Sequence, residues 1–183
     1  SGTLHCAHSK KGLKDIHLRF KQLSERGAEL ELLDKQQTQE RIGSSKFFGS
    51  LFNKKAGIIN PLDYCLGLAR AAKSYGVNIY ESTIATNIHS FNNDWLIKTA
   101  EGTIKAKMLL IATNAYQKPI EGLNPSKYTS VQYFQVATKS LPSDLVKSVL
   151  PNGEGCWDTA SVMSSFRLDA DNRLIIGGIG NLG

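Results

Sequence analysis

Few side chains in this sequence are spaced for chemistry of their own. His5 and His8, in "HCAH", are three apart, and a strand would turn them to opposite faces. No second pair of ligands follows, so no metal site is expected. No Gly-x-Ser-x-Gly elbow and no P-loop occurs. A different kind of site is suggested by "EGTIKAKMLLIATNAYQ", Glu101 to Gln117. A polar turn there leads into five apolar residues that stop at Ala112, Thr113 and Asn114. Small side chains let the main chain itself approach a ligand, whereas a bulky Cβ substituent would hold the ligand off. The Thr113 and Asn114 side chains could equally cap the end of a strand.

The elements that would position such a site are legible from periodicity. "TLHCAHS" reads as a strand. Leu13, Ile16, Phe20 and Leu23 make one apolar helix face within Lys10 to Arg26, which Gly27 ends. "AELELLD" alternates as a strand does. Asp34 can then cap a short helix, with Gln37 placed to complete a capping box. A loop and strand follow in "IGSSKFFGSLF". Pro61 stands where a helix begins, and that helix carries Leu62, Cys65, Leu66, Leu68, Ala69 and Ala72 before Gly76 ends it. "VNIY", Val77 to Tyr80, reads as a strand. A meander comes next, turning at Asn92-Asn93-Asp94 and at Glu101-Gly102, and leads to the apolar strand at Met108 to Thr113. Beyond a Pro- and Gly-bearing connection lies a long alternating strand, "YTSVQYFQVATKSL". A short helix at "PSDLVKSVL" follows, capped by Ser140, then strands near Cys156 to Thr159, Met163 to Leu168 and Arg173 to Ile176. The fold class is therefore α/β with α+β character. A helix, strand, β-meander, strand unit is joined to a mixed or antiparallel sheet that the two ends of the chain share.

Composition narrows the function. The 183 residues carry a formal charge of +6 with 41% hydrophobic residues, and the isoelectric point is near 9.2. Lys10, Lys11, Lys14, Arg19 and Lys21 cluster on the first helix, but no aromatic-basic strand or recognition helix accompanies them, so they read as a solvated face and no nucleic-acid partner is expected. The longest apolar run, Met108 to Ala112, is too short to span a bilayer. The stretch "SGTLHCAHSKKG" has no apolar h-region and no cleavage site, so no secretory signal is expected. Three widely spaced cysteines, Cys6, Cys65 and Cys156, fit free thiols in a reducing compartment, and a cytoplasmic location is expected.

The ordered set "GIINPLDYCLGLARAAKSYGVNIYESTIATNI", "IKTAEGTIKAKMLLIATNAY", "ATKSLP", "LPNGEGCWDT" and "SSFRLDADNRLIIGG" resembles the D-amino-acid-oxidase-like superfamily of FAD-dependent oxidoreductases. It is most similar to bacterial members acting on amines, the gamma-glutamylputrescine oxidoreductase-like group. The shared pattern is Gly-x-x-x-Pro, an Ala-rich helix, Gly-Val-x-Ile-x-Glu, then Thr-x-x-Gly-x-Ile-x-Ala ahead of an apolar strand.

The resemblance implies oxidation of a C–N bond of an amine or amino acid by hydride transfer to flavin, with no catalytic side chain singled out. Residues 56–118 would belong to the FAD-binding domain, and residues 1–55 and 119–183 to the substrate domain. It also implies main-chain contact with FAD at Ala85 and at Ala112, Thr113 and Asn114. Arg167, where related enzymes carry Tyr-Tyr-Arg, would hold a substrate carboxylate such as that of a gamma-glutamyl group. Pairing of Arg167 with Asp169 or Asp171 is the competing reading. Phe166 stands for a family Tyr. Phe48 is a candidate wall of the substrate pocket, against ordinary core packing.

One departure is plain. The strand with Gly-x-Gly-x-x-Gly that cradles the FAD pyrophosphate is absent, and "GGIGNLG" follows a strand with no helix after it. The chain then reads as a central segment of a longer enzyme, not expected to bind FAD alone. The alternative is a non-catalytic small-molecule binding module derived from that family. Oligomeric state is not legible.

Overall fold

A computed structural model of the chain describes residues 2–114, 118–123 and 131–180. Its contacts divide the chain into two compact units, one of residues 1–64 with 131–183 and one of residues 65–130. The expected start of the long strand at Tyr128 to Ser130 lies outside the described residues.

The first unit is built on a seven-stranded sheet. Its strands are β1 (Thr3–Cys6), β2 (Glu31–Leu33), β3 (Ser50–Asn53), β7 (Tyr133–Ser140), β8 (Gly155–Asp158), β9 (Ser164–Leu168) and β10 (Arg173–Ile179), in the order β2-β3-β1-β8-β9-β10-β7. The two ends of the chain do share one sheet. Their junction, however, is parallel, with Leu4 beside Cys156 and Cys6 beside Asp158, while the other pairings are antiparallel. β1 and β2, both antiparallel to the β3 between them, also run the same way, because α1 carries the chain back across the sheet from one to the other.

Alternation along the strands separates two faces. One holds the main core, where Leu4, Cys6, Leu33, Phe52, Cys156 and Leu168 pack with Ile42 and Leu150. Helix α2 (Lys35–Ile42) covers this side. The Asp34–Gln37 capping box that the sequence predicts is formed, and Gly43 ends the helix at a left-handed φ of 81°. Arg41 of α2 reaches the buried Glu154 at 2.7 Å and lies over the Phe52 ring. The other face is covered only at one end. Helix α1 (Lys10–Ser24), capped by Ser9, packs on β3, β1 and β2 through Leu13, Ile16 and Phe20. Within the first unit and among the described residues, no helix packs on β8, β9, β10 or β7 on that face as α1 does on β1, β2 and β3. The short helix α4 (Ser143–Val146) has Pro142 at its N-cap position; Ser140, expected as its cap, ends β7 instead.

The second unit takes most of α3 (Pro61–Ser74) and an antiparallel meander of β4 (Asn87–Phe91), β5 (Asp94–Lys98) and β6 (Thr103–Ala106). Asn92 and Asn93 turn the β4–β5 hairpin with φ of 51° and 62°, the positive values a tight two-residue turn requires. The segments Val77–Tyr80 and Met108–Thr113, expected as strands, are not strands in the structure. A strand exists only where a neighbour completes its ladder, and among the described residues neither segment has one. Met108 and Leu110 are accordingly 87% exposed. The mixed α/β class stands, with two sheets. Among the described residues no helix is long and apolar enough to cross a membrane.

Candidate functional site

The bare half of the sheet is where side chains are free to meet a ligand. Strand alternation and register place Trp157 of β8, Ser165 and Arg167 of β9, Ile175 and Gly177 of β10, and Gln135 and Tyr133 of β7 on that face. Two cavities open over it. The larger, about 620 Å³, is bordered by Ile58, Asn60, Asp63, Gln135, Arg167 and Asp169, among others. The smaller, about 300 Å³, is bordered by Ile58, Gln135, Trp157, Met163, Arg167 and Ile175, among others. Arg167 lines both.

Arg167 is half-buried and makes no ion pair among the described residues. The acids expected to compete for it are already taken. Arg173 holds Asp169 at 2.7 Å and Asp171 at 3.3 Å. Asp169 also accepts the backbone N–H groups of Asp171 and Arg173 at 3.0 and 2.9 Å. The Arg173 backbone N–H first, and its guanidinium besides, hold the Asp169 carboxyl below the usual carboxylate range. The hairpin between β9 and β10 therefore closes on its own charges and leaves the Arg167 guanidinium for an anion from outside.

The surroundings are shaped by close approach. Tyr133 reaches across β10 so that its hydroxyl lies 2.5 Å from Ser165 Oγ. A Cβ at Gly177 would stand 2.6 Å from that phenol oxygen, so only glycine permits the crossing. Trp157 stacks on His5 with ring centres 5.1 Å apart. Cys156 borders the smaller cavity, but its thiol is pushed far up by hydrogen bonding to Cys6 and by burial, which leaves it protonated and unsuited to nucleophilic attack.

The expected site residues fall into two groups. Arg167 stands on the open face. Phe166, its neighbour in β9, borders the smaller cavity, yet its ring stacks on Phe47 at 6.0 Å among the core side chains. Phe48 is 39% exposed and pairs its backbone with Ala7. It precedes β3, which is three strands from β9, about 14 Å at the usual strand spacing. It is not among the residues bordering either cavity.

Ala85, Ala112, Thr113 and Asn114 belong to the second unit. Ala112 is exposed, Ala85 half-buried, and Asn114 has a left-handed φ of 49°. Ala85 and Ala112 carry only methyl side chains, which leave their main chain open to close approach. The sequence contains no glycine-rich strand-to-helix turn that would supply N–H groups to its pyrophosphate. Gln135, Tyr133, Ser165 and Gly177 went unmarked in the sequence. Period-two alternation shows that Tyr133 and Gln135 share a face, but only strand order shows that they share it with Ser165 and Arg167.

A family model described as DAO, FAD dependent oxidoreductase, matches residues 1–182. The chain is 35% identical over 153 residues to the probable oxidoreductase OrdL of Haemophilus influenzae, a match covering 81% of this chain and 35% of that protein. It is 30% identical over 151 residues to the gamma-glutamylputrescine oxidoreductase of Escherichia coli, covering 82% and 35%. Among solved structures, L-proline dehydrogenase from P. horikoshii matches with a TM-score of 0.82 at 20% identity, over 99% of this chain and 49% of that one. Glycine oxidase from Geobacillus kaustophilus matches with a TM-score of 0.76 at 19% identity, over 100% and 49%. At these identities the solved structures show the fold. The chain spans about a third of the curated relatives it matches and about half of the solved chains.

Proposed function

The chain belongs to the DAO family of FAD-dependent oxidoreductases, and on that premise we propose that it serves the oxidation of a C–N bond in an amine or amino acid bearing a carboxylate. When bound, FAD supplies the hydride acceptor. On this reading residues 56–118 serve the cofactor, with main-chain groups at Ala85, Ala112, Thr113 and Asn114 meeting it. Residues 1–55 and 119–183 serve the substrate. Arg167 receives the carboxylate through its planar fork, and Trp157, Met163 and Ile175 keep water from the bound substrate. The likeness to the Escherichia coli gamma-glutamylputrescine oxidoreductase supports a gamma-glutamyl amine as the substrate class. The free cysteines support a cytoplasmic setting.

The observation that carries the reading is the Arg167 guanidinium, half-buried on the uncovered sheet face while Arg173 takes both nearby carboxylates. Arg167→Met is expected to raise KM for a gamma-glutamyl amine about 30-fold or more, the usual scale for losing one partner of a hydrogen-bonded charge pair. KM for an amine without a carboxylate should hardly change. Steady-state kinetics of the flavin-loaded enzyme, followed by bleaching of the flavin band near roughly 450 nm, make the comparison. Equal KM values for wild type and variant on the gamma-glutamyl amine would refute the role of Arg167, and a flavin that no amine bleaches would refute the reaction.

A further inference from the structure

Beside Arg167 the same sheet face holds a second polar side chain with nothing to bind. Gln135 sits on β7, exposed, and its amide makes no hydrogen bond among the described residues. Strand β10 separates it from Arg167, so the two stand two strands apart, about 10 Å between their backbones. Register puts Arg167 opposite Ile175 and Gln135 opposite Gly177, one step apart along β10. Long side chains on those two strands lean over the same short stretch of β10, where Gly177 offers none of its own. Ile58, Gln135, Arg167 and Ile175 border both cavities, so the guanidinium and the amide stand where the two spaces meet.

We infer that Gln135 is a specificity-determining residue of this site. It reads an uncharged amide or hydroxyl on a ligand whose carboxylate lies on Arg167 and whose alkyl part enters the smaller cavity. The chemistry follows from the groups. A glutamine amide both donates and accepts without charge, so it satisfies a neutral amide fully, whereas a second carboxylate could use only its N–H groups. Trp157, Met163 and Ile175 offer the alkyl part an apolar lining. The inference rests on the assignment of Arg167 to the carboxylate.

Two small competitive ligands separate the contributions: pentanoate, a carboxylate with an alkyl chain, and glutaramate, which adds a terminal amide. Their Kd values are measured by isothermal titration calorimetry on the flavin-loaded enzyme. Wild type is expected to bind glutaramate about five- to tenfold more tightly than pentanoate, the usual worth of one neutral hydrogen bond. Gln135→Leu should abolish that preference while leaving pentanoate unchanged, and Gln135→Glu should weaken both ligands by placing a like charge nearby. The position is exposed, so neither variant removes core packing. A preference that survives in Gln135→Leu overturns the inference. So does a wild type that shows no preference or binds neither ligand. Arg167→Met should weaken both ligands alike. If it leaves both unchanged, the carboxylate assignment fails whatever Gln135 does.

Discussion

At the scale of the residue, two arginines on one hairpin have different fates because of what their neighbours already hold. Arg173 is tied to Asp169 and Asp171, and Arg167, on the strand before it, is not. From the sequence both acids were equally available to Arg167. A similar local contest acts on His5. Its ring stacks on Trp157, and its pKa is lowered first by burial and then by Arg19, against opposing contributions from Asp15 and Asp158. The folded state therefore disfavours the protonated ring. Its contribution to stability is fully present above the unfolded value near 6.5 and is lost as pH falls through that value towards the lower native one. Thermal melts between about pH 8 and about pH 5 should show Tm of the wild type falling more steeply than that of His5→Phe, which keeps the stack without the proton. Parallel curves would show that His5 does not contribute.

At the scale of the element, local signals did well where one segment satisfies itself. Asp34 and Gln37 form the capping box within four residues of chain, and the Asn92-Asn93 turn needs only its own two positive φ values. Asp34→Ala is expected to destabilise the chain by about 1 kcal/mol, read as a lower urea midpoint with an unchanged slope. An unshifted midpoint would mean that other contacts hold the start of α2. The same kind of reading fell short at Val77–Tyr80 and Met108–Thr113. Continuous apolar composition does mark a strand buried on both faces. Hydrogen-bonding neighbours, which no local pattern specifies, decide whether it becomes one. Phe166 shows the limit in another form. Alternation puts it and Arg167 on opposite faces, and the core lies on the face of Phe166.

At the scale of the whole molecule, the two units differ in how much they bury. Both core clusters lie in the first unit, under α1 and α2. In the second, Ile88 and Ile97 are buried, but its part of α3 has no buried residue, and Leu66 and Leu68 are exposed along it. Stability within a protein follows buried apolar contact, so hydrogen exchange of this chain should be slowest at β1, β3 and β8 and faster at α3 and β4–β6. Exchange as slow in α3 as in β1 would contradict that assignment.

By itself the sequence determined the α/β class, the Asp34 capping box and the hairpin turn, the family resemblance and Arg167 as a candidate for an anion. These rest on spacings within a few residues, or on motifs in order along the chain. Tertiary structure alone decided that β1 and β8 run parallel, that α1 covers one end of the sheet and leaves the other bare, and that Gln135 and Arg167 face the same two cavities. Each of these depends on which strands become neighbours. That choice is made by burial summed over the whole sheet, and no single segment carries it.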